Sequence, residues 1–253
     1  MAAVVILLAW MVIPFGPFFS RILVGRDLSI GILFFIAMSS LIVMAVLLGG
    51  WASNNKYSLL GGLRAASQMI SYEIPLTLAV LTPAMMAGTL STVGIVHAQA
   101  GGFLGAGRWF LFGGGRGIGA LVSGLVSFLI FVTAATAEVK RVPFDLPEAE
   151  SELVAGYFSE YAGIRFGLFQ LAEYGGAFAM AALAAVLYLG GWHGPALPGI
   201  VWFAVKLFVL VVFLMWVRWT YPRLRLDQLL SLSWKGLVPL GLLNVLVTGW
   251  TLL

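Results

Sequence analysis

The residues best able to do chemistry in this sequence are carboxylates, and they are concentrated in one stretch, residues 137–161. Six of the chain's ten acidic residues lie there, together with two prolines and two basic residues, Lys140 and Arg141. The six acids are Glu138, Asp145, Glu148, Glu150, Glu152 and Glu160. Carboxylates this crowded repel one another unless they hold protons or pair with cations. The stretch is interpreted either as a hydrated loop or as an acidic path or binding wall at a membrane surface.

The composition defines the class of protein in which these acids lie. The chain has 253 residues, of which 61% are hydrophobic and 9% are charged, and its mean hydropathy is +1.04. Soluble domains carry roughly 25% charged residues, whereas apolar runs of about 20 residues, the length of a transmembrane helix, recur here. We therefore predict an all-α, polytopic transmembrane protein of one domain, residues 1–253, with a long acidic cytoplasmic loop. The absence of cysteine excludes disulfides and thiolate-held metals or clusters, and a net charge of +4 does not favour nucleic acid as a partner.

The apolar runs and the basic residues together predict a topology. We expect about seven spans, at 2–18, 30–50, 73–95, 118–137, 166–190, 199–217 and 236–253. Loops 51–72, 138–165 and 218–235 hold nine of the 14 lysines and arginines, against four in the opposite loops. Basic loops stay on the cytoplasmic side. This pattern predicts a cytoplasmic N-terminus, an external C-terminus and a cytoplasmic acidic loop.

Four charged residues fall within or at the end of predicted spans: Glu73, Glu138, Glu173 and Lys206. A charge at the centre of a span costs about 2.5–3.5 kcal/mol on insertion scales, so such residues are rarely accidental. Each residue taken alone also has a simpler explanation. For example, Glu73 can be an interfacial acid, and Lys206 a base whose long stem reaches the outer face. Taken together they favour a charged relay joined to the acidic loop. No metal site is expected, because no histidine lies near these acids.

The third and fourth predicted spans carry packing signals. Pro75 and Pro83 interrupt the third span, and each removes a backbone hydrogen bond, leaving a carbonyl that a cavity or water could satisfy. The fourth span contains small residues, which predict close helix packing. Among these are Gly119, Ser123, Gly124 and Ser127.

Three stretches go beyond class. They are GWASNNKYSLLGGLRAASQMISYEIPL, AEVKRVPFDLPEAESELVAGYFSEYAGIRFGLFQLAEY and VRWTYPRLRLDQLLSLSWK. They closely resemble the quinone-site membrane subunit (the H-type subunit) of NADH–quinone oxidoreductase, the bacterial respiratory complex I. Related membrane subunits of energy-converting hydrogenases share the fold, but the loop motifs resemble the complex I branch.

The resemblance implies a translocase subunit that is not catalytic alone and has no cofactor of its own. It implies that the chain forms part of a quinone chamber and couples quinone reduction to proton translocation in the cell inner membrane. NADH, FMN and iron–sulfur clusters are then expected in partner subunits: the peripheral quinone-site subunits, with small membrane subunits and lipid as the other neighbours. By motif match, the implied proton path comprises Glu73, Glu138, Glu148, Glu150, Glu152, Glu160 and Glu173, with Lys206 at a matching position. The implied chamber and loop residues are Arg64, Arg141, Asp145 and Arg165.

The chain departs from this family in three places. The family usually opens with one more span and an amphipathic segment, so the chain is expected to be truncated or called from a late start. Val139 and Lys140 replace a common Thr-Asn pair, which adds a cation beside Glu138, and Phe158 stands where a histidine is common. Two other functions stay open: an independent ion-coupled secondary transporter, and a structural anchor for a soluble arm. The choices between ubiquinone and menaquinone, and between protons and sodium, also stay open.

Overall fold

The computed structural model describes residues 1–18, 21–101, 108–145, 156–195 and 197–252, with Phe18 described by its backbone only. The helices are α1 (Ala2–Trp10), α2 (Gly31–Ala52), α3 (Lys56–Ala87), α4 (Thr92–Ala98), α5 (Ile118–Glu138), α6 (Ile164–Tyr188), α7 (Gly199–Thr220), α8 (Leu226–Ser231) and α9 (Val238–Leu252). A π-helical segment, Leu232–Leu237, joins α8 to α9, and short 3₁₀ helices lie at Phe110–Gly115 and Gly156–Phe158. The strands β1 (Gly16–Phe18) and β2 (Arg21–Leu23) form a small antiparallel pair.

Six helical segments among the described residues are long and apolar enough to cross a bilayer, which confirms the polytopic helical class. They are α2, α3, α5, α6, α7 and the continuous stretch from α8 through α9, Leu226–Leu252. The expected span 2–18 differs, because α1 ends at Trp10 and Pro14 and the β1–β2 pair follow. Proline has no N–H to continue a helix. Seven spans were expected; the described residues contain six such segments and the nine-residue α1.

Two of the expected loops are largely helical. Helix α3 begins at Lys56, so most of the predicted loop 51–72 extends the third span. Its N-cap is Asn55, whose side-chain oxygen accepts a hydrogen bond from the Tyr57 N–H, a preferred way to start a helix. In the same way α8 and the π segment occupy much of the predicted loop 218–235.

Helix α3 runs through the centre of the bundle, against α2, α5 and α9, and both of its prolines lie inside it. Pro75 leaves the carbonyl of Ser71 without its helical N–H, and the Ser233 hydroxyl donates to that oxygen at 2.6 Å. Pro83 leaves the carbonyl of Ala79 free in the same way. Two hydroxyls donate to that oxygen: Ser127 at 2.8 Å and Tyr188 at 3.0 Å. Each freed carbonyl therefore accepts hydrogen bonds from neighbouring segments, and each proline connects α3 to other helices.

Glycines let helices approach closely at two points. The Cα atoms of Gly50 in α2 and Gly62 in α3 face each other, and a Cβ on Gly50 would lie 3.2 Å from Gly62 Cα. A Cβ on Gly124 of α5 would lie 2.1 Å from the carbonyl oxygen of Phe110, a distance that no side chain tolerates. The small residues of α5 therefore do pack closely, as their pattern indicates.

The alternating helices place the connections at two ends of the bundle. We call acidic end the side that carries residues 53–55, 139–145, 156–163 and 221–225. The opposite end carries residues 24–30, 88–91 and 189–195, among others. The acidic end is the side that the basic residues predict to be cytoplasmic.

Candidate functional site

Glu138 is the centre of the site. It is the last residue of α5 and is only 4% exposed. Neither of its carboxyl oxygens has a hydrogen-bond partner within the described part of the chain. Glu138 lines a cavity of about 40 Å³ that lies between α1, α2, α3, α5 and α6. A water molecule needs roughly 10–15 Å³ of such space, so this cavity has room for a few waters beside the carboxyl group.

Glu173, on α6, lines the same cavity. Its Oε1 lies 3.1 Å from Nη2 of Arg141, in an ion pair of which the carboxylate side chain is 3% exposed and the guanidinium side chain 17%. The guanidinium also lies 4.1 Å from the ring centroid of Tyr174. Since Arg141 comes from the segment after α5, the pair joins that segment to α6.

Glu73, on α3, brings a third carboxyl group to the same region. Its Oε1 accepts a hydrogen bond from the Ser40 hydroxyl of α2. The group is half-buried and close enough to Glu138 for the two carboxyls to interact electrostatically. Three of the predicted acids, from three different helices, are thus brought together near the acidic end.

Lys140 supplies a cation to this cluster. The backbone turns back after α5, because Lys140 has a φ of +57° and the N–H of Arg141 donates to Thr136 O. This is the hydrogen-bond pattern of a Schellman cap, in which a left-handed residue ends the helix. Lys140 is 5% exposed, lines the cavity and contacts the Tyr157 hydroxyl. From the sequence, Lys140 is noted only as a departure from the family. Its inward position follows from its place just after the end of α5, where the backbone reverses.

Gln68 is a site residue that the sequence interpretation did not single out. It is fully buried on α3, and its Nε2 donates to the carbonyl oxygens of Ala137 and Phe144, both at 2.8 Å. One side chain therefore fixes both ends of the turn that carries Lys140 and Arg141. The available signal was a polar amide side chain within a helical segment, five residues before Glu73.

The far end of the acidic stretch is attached to α2 and α3. Asn55 Nδ2 donates to Glu160 Oε1 at 2.8 Å, and the Tyr161 hydroxyl donates to Gly49 O at 2.8 Å. Phe158, at the position where the family commonly has histidine, packs in an aromatic cluster with Tyr157 and Phe169. Glu160 is exposed there, at the rim of the site and away from the buried acids.

Asp145 lies at the acidic end outside the helices. Its Oδ2 is 3.4 Å from Nη2 of Arg223, in the connection before α8. Burial raises the pKa of the Asp145 carboxyl above its ordinary value, while Arg223 acts in the opposite direction. The segment is held there by a second contact, in which the Leu224 N–H donates to Pro143 O at 3.1 Å.

The remaining predicted site residues fall into three groups. Arg64 is half-buried on α3 and Arg165 is exposed at the start of α6. Glu148, Glu150 and Glu152 lie outside the described residues. Lys206 lies toward the opposite end, away from the clustered acids.

The ammonium group of Lys206 is held by backbone oxygens. It donates to the carbonyls of Leu189, Gly191 and His193 at 2.5, 2.9 and 2.6 Å, and it lies 4.6 Å from the ring of Trp109. These carbonyls follow the C-terminal end of α6, where cations are favoured. Glu173 lies 15 residues before that end, or about 22 Å along the helix. The Lys206 stem points toward the opposite end of the bundle, but the residue is only 5% exposed, so its ammonium is held inside the protein.

A sequence profile of the NADH dehydrogenase family matches residues 1–249. The second H-type subunit of the NADH-quinone oxidoreductase of Syntrophobacter fumaroxidans is 51% identical over 252 residues, which cover 97% of this chain and 71% of that protein. The second H-type subunit of Geobacter sulfurreducens is 48% identical, over 100% of this chain and 74% of the relative. The H-type subunit of Geobacillus kaustophilus is 51% identical, over 88% of this chain and 63% of the relative. These matches extend over nearly all of the sequence that contains the site, and the chain belongs to the NADH dehydrogenase family.

Proposed function

We propose that this chain is the H-type subunit of an NADH–quinone oxidoreductase in the cell inner membrane. In this proposal it forms part of the quinone chamber and couples quinone reduction to proton translocation through Glu138, Glu173 and Glu73. The names of relatives about half identical to it support the subunit assignment. The observation that carries the coupling role is that the carboxyls of Glu138 and Glu173, from two helices, line one cavity with room for water, and that Glu73 of a third helix interacts electrostatically with Glu138.

The proposed path uses the unequal partners of the three acids. Glu173 is paired with a guanidinium and Glu73 with a hydroxyl, whereas Glu138 has no hydrogen-bond partner among the residues described. A buried ionised carboxylate without partners is costly. Glu138 is therefore the member of the cluster that we expect to take up and release a proton when the nearby charge changes, with water in the cavity as the neighbouring carrier.

The loop is the proposed source of that charge change. Lys140 lines the cavity and Arg141 pairs with Glu173, and both come from the segment between α5 and α6, which Gln68 attaches to α3. Any displacement of this segment would move two cations relative to Glu138 and Glu173. Quinone reduction next to the acidic end, with electrons delivered by partner subunits that carry FMN and iron–sulfur clusters, is the event proposed to cause it.

The chamber wall is proposed to include the polar residues of the acidic end. These are Arg64, Arg141, Asp145 and Arg165. The acids that the family match assigns to the proton path, Glu148, Glu150, Glu152 and Glu160, are proposed to extend that path from the same end. Peripheral quinone-site subunits would cover this end and close the chamber. This proposal also accommodates a docking role, since the same end would hold the soluble arm.

The test is Glu138→Gln in the assembled complex. We expect NADH-driven quinone reduction and the accompanying pH gradient to fall together, because the substitution removes the proton carried by Glu138 and changes little else in shape. The matched control is Asp227→Asn, at an exposed acid at the beginning of α8. Equal activity and pumping in the Glu138 variant and the wild type, at equal amounts of complex, would remove Glu138 from the path.

A second measurement addresses the transporter alternative. The purified chain is reconstituted alone into liposomes with an internal pH dye, and an ion gradient is applied. In the subunit proposal the chain alone moves no ions, since it lacks the redox partners. Sustained ion-coupled transport by the chain alone would favour an independent secondary transporter.

A further inference from the structure

A groove between α5, α6 and α7 is separate from the cavity around Glu138. It is the larger of the two, with about 80 Å³ of internal space. Apolar side chains such as Phe131, Phe178, Leu210 and Leu214 line most of it. Arg141 and Arg218 also line it. An apolar groove that also carries two guanidinium groups is suited to a ligand with an apolar chain and an anionic headgroup.

The two arginines lie at one end of the groove. Arg141 follows the C-terminal end of α5, and Arg218 lies in the last turn of α7. Both ends belong to the acidic end of the bundle. From Arg218 the lining continues along α7 to Leu210, eight residues or about 12 Å away. The groove therefore has a charged mouth and an open apolar floor about 12 Å long, along which part of an acyl chain can lie.

Aromatic residues mark the depth of the mouth. Trp216, Trp219 and Tyr221 follow one another near the end of α7, and Trp219 is 86% exposed. Exposed tryptophan and tyrosine of a spanning helix concentrate at the level of lipid headgroups. Arg218 stands among them, so its guanidinium is at the depth of a phosphate.

The charges at the mouth favour an anion. Arg141 is paired with Glu173, and Arg223 is paired with Asp145. Arg218 is exposed and forms no ion pair with any residue in the described ranges. Among the described residues of these pairs, three guanidinium groups thus face two carboxylates, and Arg218 is the one outside an ion pair, although it also acts electrostatically on Asp145. A quinone carbonyl can accept a hydrogen bond from a guanidinium but brings no opposite charge, whereas a phosphodiester brings both the charge and a matching hydrogen-bond geometry.

We propose that this groove binds one anionic phospholipid, with an acyl chain between α5, α6 and α7 and its phosphate against Arg218 and Arg141. Basic pockets between transmembrane helices on the cytoplasmic side are suited to such headgroups. Bound there, the lipid places a negative charge next to the Arg141–Glu173 pair. This site does not depend on the proposed function of the chain.

The test uses the full chain purified in a mild detergent and titrated with phosphatidylglycerol, with bound lipid counted by native mass spectrometry. Phosphatidylcholine with the same acyl chains is the neutral comparison. We expect one phosphatidylglycerol to bind preferentially and Arg218→Gln to weaken it about fivefold, the effect of one basic residue near the surface. Arg225→Gln is the matched control, because Arg225 is an exposed arginine of the same end that does not line the groove. A second variant, Leu214→Trp, fills the groove and is expected to weaken both lipids.

The alternatives are distinguishable in the same titration. Equal affinity for the two phospholipids, or equal loss in Arg218→Gln and Arg225→Gln, would overturn the proposal of an anionic site. Tighter binding of a long-chain quinone that displaces phosphatidylglycerol would make the groove a quinone site. Binding of glycerol 3-phosphate as tightly as the lipid would show that the apolar groove plays no part. A loss in Leu214→Trp at unchanged thermal stability, with Arg218→Gln selective for phosphatidylglycerol, supports it.

Discussion

Nη2 of Arg141 lies 3.1 Å from Oε1 of Glu173, and this pair connects the segment after α5 to the middle of the cavity-lining face of α6. Its two members are unequally buried, since the side chain of Glu173 is 3% exposed and that of Arg141 is 17% exposed. The guanidinium can reach solvent by a small movement, whereas the carboxylate cannot. Removing Arg141 therefore leaves a buried, unpaired charge, whereas removing Glu173 does not.

We predict that Arg141→Gln destabilises the chain more than Glu173→Gln does. The first leaves a buried carboxylate without its partner, a change that costs about 3–5 kcal/mol. The second leaves an arginine that can turn to water, for which we expect about 1–2 kcal/mol, the order of one charged hydrogen bond. Thermal unfolding in detergent measures both. The double variant should resemble Glu173→Gln, and equal effects of the two single variants would contradict the asymmetry.

The Ser233 hydroxyl and Pro75 provide a second prediction. Ser233→Ala removes the donor to the Ser71 carbonyl that Pro75 has freed, and we expect a loss of about 1–2 kcal/mol in unfolding free energy. In a Pro75→Ala background Ser71 O regains a helical N–H, so the same substitution should cost much less. The four proteins form a double-mutant cycle measured by thermal unfolding. The same loss from Ser233→Ala in both backgrounds would show that the contact does not compensate for the proline.

The helical class and the clustered acids could be predicted because both depend on the free energy of transfer into lipid. Apolar runs and rare intramembrane carboxylates are local features, and Glu73, Glu138 and Glu173 do converge. The end of α1 and the start of α3 are harder to predict from the sequence. Proline at residue 14 breaks a helix, whereas Pro75 does not, because Ser233, distant in sequence, satisfies the carbonyl that it frees.

The details of the site depended on contacts that no local pattern contains. Gln68 bonds to carbonyls 69 and 76 residues away, at Ala137 and Phe144. Lys140 itself adopts the left-handed conformation that turns the chain inward after α5, a conformation that a lysine does not favour. For Lys206, hydropathy predicts the depth in a span but not the end of the bundle that its ammonium reaches.

Asp145 provides a prediction about pH. Burial raises its pKa in the folded chain, so the folded state holds a proton that the unfolded state has already released. Stability falls with rising pH wherever the folded state binds more protons, so this contribution is present below the ordinary carboxyl pKa of about 3.9 and is lost as pH rises through the raised value. We expect Asp145→Asn to remove this fall. Unfolding midpoints of the two proteins at a series of pH values measure it.

The control for this pH series is Asp227→Asn, an exposed acid of the same end of the bundle. It should leave the pH dependence of the wild type in place. A wild-type midpoint that rises across the same window relative to Asp145→Asn would mean that the Arg223 pair outweighs burial, and the sign of the argument would be reversed.

Lys206 gives the sharpest distinction between a structural and a translocating residue. Its ammonium satisfies three carbonyls at the end of α6, so Lys206→Met leaves these oxygens without that donor, and we expect a loss of about 2–4 kcal/mol in unfolding free energy. Lys235→Met, at an exposed lysine of the π segment, is the matched control and should change little. In complexes that assemble, Lys206→Met should move as many protons for each quinone reduced as the wild type does, because the acid cluster lies about 22 Å away along α6. Lost translocation for each quinone with unchanged stability would instead place Lys206 in the proton path.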